Sequence, residues 1–353
     1  MPSRIFALLF TGFLFACSSA PKPPEAPPPF LSLARDAVQR DLGLLFRDPF
    51  SGDRRIPIRY ATNRDQESAR PGSALVFGEV EIAVPESHAI GTIASTFTRG
   101  ENKTLSLEEW KATLLANREW GALVFIHGFN VDFTEALFRA AQIAYDLKFQ
   151  GSVILLSWPA GKEGGFLEKT LLNRTYESNQ RNAQASVTAF ATIFRELAAL
   201  PVPYQMIVHS MGHQVALPAL REASRTLESG FLQELVLNAP DYDPEEFAAG
   251  LQDLARIAKR ITLYCSQKDN ALLASKALNG KKRLGACTRY EGVDVVNVSE
   301  VDAPGITGLG HGYYSSRPIL TDLAQVFLGV EAEKRLFIRK SRDSNSEHYF
   351  LRR

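Results

Sequence analysis

A chain of 353 residues is long enough to bury one large core, and single α/β domains of this size are common. Its 40 Lys and Arg residues nearly balance 39 Asp and Glu residues, leaving a net charge of +1, so no global field gathers polyanions and a nucleic-acid-binding role has no support. No metal-ligand spacing of Cys and His occurs, so no structural zinc and no cofactor are expected.

The chain opens with Arg4 and the apolar run Ile5 to Ala16, the pattern of a secretion signal. The run is too short to span a bilayer, which takes about twenty residues. It ends in Leu14-Phe15-Ala16-Cys17, which resembles the lipobox of bacterial lipoproteins, although Phe15 is bulkier than the residue usual there. The resemblance implies acylation of Cys17 and, because Ser18 follows it, delivery to the outer membrane facing the periplasm. A plain signal peptide cleaved elsewhere is the alternative. Ser18 to Pro29 is Pro-rich and predicts an extended tether. The expected organisation is a signal peptide over 1–16, a lipid-anchored tether over 17–29, one domain over 30–333, and a solvated basic tail over 334–353.

Within the domain, Phe30 to Asp53 reads as a partly helical lead-in. Arg54 to Thr62 and Leu75 to Val84 alternate apolar and polar residues, predicting strands at an antiparallel edge. From Ala122 the pattern changes to short continuous apolar runs separated by helical stretches, which predicts parallel strands covered on both faces. The runs are Ala122 to His127, Ser152 to Ser157, Gln205 to His209, Glu234 to Asn238, Arg260 to Cys265 and Val293 to Val298. Helices are predicted over Phe133 to Phe149 and Tyr176 to Leu200, each with an apolar stripe. The expected class is therefore α/β, with a mostly parallel central sheet flanked by helices.

The run Gln205 to His209 leads into Ser210-Met211-Gly212 and then a helical pattern, the strand, turn and helix context of a nucleophile elbow. Val208 stands where the usual G-x-S-x-G has its first small residue. Gly212 lets the following helix approach the turn. His127-Gly128-Phe129-Asn130 follows the first buried strand, where hydrolases of this architecture place an oxyanion loop, so Phe129 and Met211 are the candidate backbone donors. His127 itself reads as a buried turn histidine. The order serine, acid, histidine selects the base from residues beyond Ser210. His213 is too close along the helix and His348 lies in the polar tail, which leaves His311 in a glycine-rich loop. The acid is Asp269, favoured by strand order, or Asp241; Asp302 reads as a loop or cap residue. Cys265 and Cys287 form either a disulfide, in an oxidising compartment, or two buried thiols.

These motifs, with Tyr60-Ala61-Thr62-Asn63-Arg64, Ser157-Trp158-Pro159-Ala160-Gly161 and Asn238-Ala239-Pro240-Asp241, resemble the α/β-hydrolase family of domain of unknown function 900 from about Ile56 to Leu328. The resemblance implies the α/β-hydrolase fold and says little of substrate. The expected reaction is hydrolysis of a carboxylic ester through an acyl-serine, with Trp158, Phe129, Tyr313 and Tyr314 as candidate walls of an acyl pocket. The alternatives are a peptidase of the same fold and a non-catalytic envelope protein that binds or scaffolds a partner.

Overall fold

The computed structural model of the chain describes residues 50, 53–92, 97–161, 169–301, 311–312, 316–342 and 348–352. The expected signal peptide, Cys17 and the tether lie outside the described residues, as do Asp302, Gly308, Gly310, Tyr313 and Tyr314.

The first strands, β1 (Arg55–Arg64) and β2 (Pro71–Ala83), pair antiparallel, and two short strands, β3 (Thr98–Arg99) and β4 (Lys103–Leu105), pair with β2. Helix α1 (Leu107–Leu115) starts from a capping box between Ser106 and Glu109. Then strand and helix alternate: β5 (Ala122–Ile126), α2 (Phe133–Asp146), β6 (Ser152–Ser157), α3 (Lys169–Ala198), β7 (Tyr204–His209), α4 (His213–Ser224), β8 (Leu232–Asn238), α5 (Pro244–Ile257), β9 (Ile261–Cys265), α6 (Asn270–Asn279), β10 (Asp294–Asn297) and α7 (Arg317–Phe327). The chain closes with β11 (Ile338–Lys340) and β12 (Tyr349–Leu351). Together the strands make a twelve-stranded sheet in the order β11-β12-β10-β9-β8-β7-β5-β6-β1-β2-β3, with β4 beside β2.

The expected α/β class with a mostly parallel core is the observed one. Strand β5 shows why its apolar run is continuous: Val124 and Ile126 belong to one core cluster, and Leu123 and Phe125 to the other. Both faces are covered, so both parities of a two-residue period must be apolar. Phe190 and Phe194 of α3 and Leu217 and Leu220 of α4 cover the first face; Ala136 and Ala140 of α2 and Ile319 and Leu323 of α7 cover the second.

The antiparallel N-terminal strands stand at one end of the sheet as expected: β1 pairs antiparallel with β2, and it also pairs parallel with β6, which joins them to the parallel core, with Arg59 to Arg64 all buried. One expectation is corrected. The segment expected as a solvated basic tail adds β11 and β12 to the sheet, with β12 parallel to β10. Ile338 and Leu351 supply the apolar contacts, joining the cluster that holds Val296 and Ile319, while Arg339 and Lys340 remain exposed.

Cys265 and Cys287 form a disulfide, with Cα atoms 5.2 Å apart. It ties the end of β9 to the segment that follows α6. That segment is also fastened by the Gly285 N–H on the Pro240 carbonyl at 2.9 Å.

Candidate active site

Strand order reverses around β5, whose chain continues into β6 on one side and whose other neighbour is β7. Loops leaving the carboxyl ends of β5 and β7 therefore face each other across a crevice, the usual location of sites in such sheets. The β5 loop carries His127 to Val131, and the β7 turn carries Ser210.

Ser210 sits in the left-handed region at φ 52°, the strained backbone expected of an elbow, and Val208 in the strand does not prevent it. Its carbonyl accepts the Asp241 N–H at 3.3 Å and is 2.7 Å from His213 Nδ1. A carbonyl only accepts, so Nδ1 of His213 carries a proton and donates it to this bond. Burial depresses its pKa to about 3. Gly212 lets the helix close on the β5 loop: a Cβ there would lie 2.5 Å from the His127 carbonyl.

The Ser210 hydroxyl lies 2.6 Å from His311 Nε2, and His311 Nδ1 lies 2.7 Å from Asp269 Oδ2. With Nδ1–H donating to the carboxylate, Nε2 is free to accept the serine proton. Asp269 is the N-cap of α6, its other oxygen accepting the Leu272 N–H at 3.0 Å, and its side chain is fully buried. One carboxylate thus caps a helix and orients the imidazole.

Asp241 does not reach His311. Its Oδ1 accepts from Arg283 Nε at 2.6 Å and from the Ser275 hydroxyl, and its Oδ2 accepts from the Tyr176 hydroxyl at 2.9 Å. The Asp241–Arg283 pair is almost wholly buried behind the elbow, where Gln214 donates to the Asp241 carbonyl at 3.1 Å.

The β5 loop packs closely on Ser210: a Cβ on Gly128 would come within 2.8 Å of the Ser210 Cβ and 2.9 Å of His209 Nδ1. Phe129, the next residue of this loop, and Met211, the next residue after Ser210, are the expected oxyanion donors. Asn179 of α3 pins the loop, accepting the Asn130 and Gly161 N–H groups at 3.1 Å each. Beneath it lies Arg64, 1% exposed. Its guanidinium donates to the carbonyls of Ala160 at 2.7 Å, Ser68 at 3.0 Å and Val131 at 3.0 Å, and to the Ser157 hydroxyl at 2.9 Å. Burial lowers its pKa to about 10, which leaves it cationic at neutral pH. His127 is the buried turn residue expected, with Nδ1 3.1 Å from the Gly128 carbonyl and its ring stacked on Trp158. Desolvation, then the Arg64 charge, hold its pKa near 3. Trp158 is itself fully buried and donates to the His127 carbonyl at 2.8 Å, so it packs the core rather than walling a pocket. Phe129 is partly buried and faces Tyr176, with ring centroids 5.8 Å apart.

Sequence reasoning gave no role to Arg64, Tyr176, Asn179 or Arg283. Arg64 appeared only as the last residue of the motif Tyr60-Ala61-Thr62-Asn63-Arg64, with no signal of its own.

A family model described as Alpha/beta hydrolase of unknown function (DUF900) matches residues 103–329. Among solved structures, the chain is similar to a PEG-bound complex of a novel cold-adapted esterase from an Arctic intertidal metagenomic library. The identity is 14%, covering 64% of this chain and 79% of that chain, with a TM-score of 0.33. No curated protein matches.

Proposed function

For a chain that belongs to the alpha/beta hydrolases of unknown function DUF900, we propose serine hydrolysis of a carboxylic ester, with Ser210 as nucleophile, His311 as base and Asp269 as the acid that orients it. The carrying observation is the unbroken line of hydrogen bonds, 2.7 Å from Asp269 to His311 and 2.6 Å from His311 to Ser210.

In this reading His311 Nε2 takes the Ser210 proton as Oγ attacks the carbonyl carbon. Asp269 holds Nδ1–H and stabilises the imidazolium. The backbone N–H groups of Phe129 and Met211 receive the oxyanion, each worth roughly 3–4 kcal/mol of the barrier. The carbon to alkoxide bond then breaks, the imidazolium protonates the departing alcohol, and water repeats the sequence to release the acid and free Ser210.

A fluorophosphonate tests the nucleophile. The whole chain is expected to be labelled at Ser210, and Ser210→Ala to lose labelling while melting at the wild-type temperature. Equal labelling of the Ala variant overturns the reading. A series of p-nitrophenyl esters of graded chain length then defines the acyl preference.

The same proposal places the enzyme in the cell envelope, held by lipid on Cys17. Its support is the lipobox resemblance together with the Cys265–Cys287 disulfide, a bond that persists in oxidising compartments. Incorporation of labelled palmitate in a Gram-negative host, lost in Cys17→Ser, is the expected result, and no incorporation in wild type removes the anchor.

A further inference from the structure

The catalytic reading leaves unused the basic segment that builds β11 and β12. In the sheet register Arg339 stands opposite Phe350, and Phe350 opposite Asn297 of β10, so these side chains share one face; Arg352, two residues past Phe350, shares it too. The other face is closed by α7 through Ile338, Leu351 and Val296. The basic face borders a groove of about 750 Å³ that also takes in Arg342.

Its charge is one-sided. Among the described residues Glu300 is the only carboxylate lining it. Lys340 is drawn to Glu333 at 3.4 Å, but Arg339, Arg342 and Arg352 have no carboxylate partner among the described residues. Arg339 spends one N–H on its neighbour's carbonyl, and Arg352 lies over the Phe350 ring at 5.2 Å. In a chain of net charge +1, three guanidinium groups on one concavity, with no carboxylate partner among the described residues, are a local concentration of charge that an anion would relieve.

The groove also offers a neutral donor. The Asn297 side-chain oxygen is occupied by the Ser299 hydroxyl at 2.6 Å and the Ser299 N–H at 2.9 Å, which leaves its NH₂ group to the groove. Ser299 in turn accepts the Gln267 N–H at 2.9 Å, two residues before Asp269. The groove thus abuts the turn that carries the proposed acid, yet shares no residue with the proposed triad.

We propose that this groove is an anion site for a phosphate or phosphoester group, bound by the Arg339, Arg342 and Arg352 guanidinium forks and the Asn297 amide. The phosphate belongs either to a lipid headgroup or to a soluble phosphoester. Inorganic pyrophosphate titrated into the whole chain at low salt is the first probe. Binding is expected, weakened at least tenfold in R339Q/R342Q/R352Q. All three side chains are exposed, so the variant is expected to keep the wild-type melting temperature. The second probe is sedimentation with phosphatidylglycerol or phosphatidylcholine vesicles. Excess sedimentation of wild type over the triple variant, on phosphatidylglycerol only, assigns a lipid headgroup; equal sedimentation with pyrophosphate binding still variant-sensitive assigns a soluble phosphoester. Pyrophosphate affinity that is absent in wild type, or unchanged in the triple variant, overturns the site.

Discussion

The backbone N–H of Asp241 donates to the carbonyl of Ser210 at 3.3 Å while the Asp241 carboxylate points away into Arg283. The two acids are thus separable by experiment, Asp269 touching His311 and Asp241 supporting the turn at Ser210 from behind. Asp269→Asn is expected to leave the fold intact and lower ester turnover by roughly 10⁴, the cost of misorienting the imidazole in a triad. Asp241→Asn strands a buried guanidinium and is expected to cost about 3–5 kcal/mol of stability. Melting curves beside turnover numbers separate the effects; a folded Asp241→Asn enzyme with the larger turnover loss would transfer the acid role.

Arg64 should behave as a positioning residue for the β5 loop. Arg64→Lys keeps a cation but not the planar fork that reaches the Val131, Ala160 and Ser68 carbonyls together. Each buried acceptor left unpaired costs about 1–3 kcal/mol, so a loss of at least about 3 kcal/mol is expected in Arg64→Met and a smaller one in Arg64→Lys. In the folded Lys variant, kcat should fall more than KM rises, because the loop it supports carries Phe129, the proposed oxyanion donor. A Lys variant with wild-type stability and turnover would show that the guanidinium contacts are dispensable.

Most of the sheet was legible in the sequence because a strand covered on both faces has consecutive apolar residues at its centre, and β5 to β10 leave that trace. Strands β11 and β12 were not legible: three residues carry no period, and exposed Arg339 and Lys340 on an edge strand look like solvated tail. At the site, Ser210 and the β5 loop announce themselves through local motifs. The partner of Asp241 does not, since Arg283 lies 42 residues away in a stretch with no pattern. Arg64 was visible only as part of a motif, because its partners lie on three separate loops.

Gly128 lies close against Ser210. A methyl group there meets the Ser210 Cβ at 2.8 Å and His209 Nδ1 at 2.9 Å, and both belong to a turn that is buried and strained. Something must shift, and a displacement near 1 Å at reacting atoms costs on the order of 10² in rate. Gly128→Ala is therefore expected to slow fluorophosphonate labelling about that much, while overpacking lowers stability by about 1–3 kcal/mol. Labelling at the wild-type rate would place the oxyanion loop elsewhere.

Three buried histidines set the acid limit of the fold. Desolvation holds His127 and His213 at about 3, and desolvation followed by the nearby His311 holds His209 well below its ordinary value of 6.5. Each is neutral when folded, and each protonates in the unfolded chain once the pH drops below about 6.5. Between that value and the folded one the unfolded state binds more protons, so stability falls as pH falls; above pH 6.5 these groups add no pH dependence. At pH 5 His127 and His213 have each cost roughly 2 kcal/mol, and His209 acts in the same direction, against the about 5–15 kcal/mol stability of an ordinary domain. Acid unfolding is therefore expected to begin just below neutrality. His213→Asn offers a specific check, since the Asn amide can replace Nδ1–H on the Ser210 carbonyl without a titrating ring. The variant should show a shallower stability slope between pH 6 and 4, smaller by about one proton, with its Ser210 still open to fluorophosphonate. An unchanged slope would mean that His213 is already protonated in the folded protein, or that it never titrates in the unfolded chain over that window, and either would contradict the neutral buried ring.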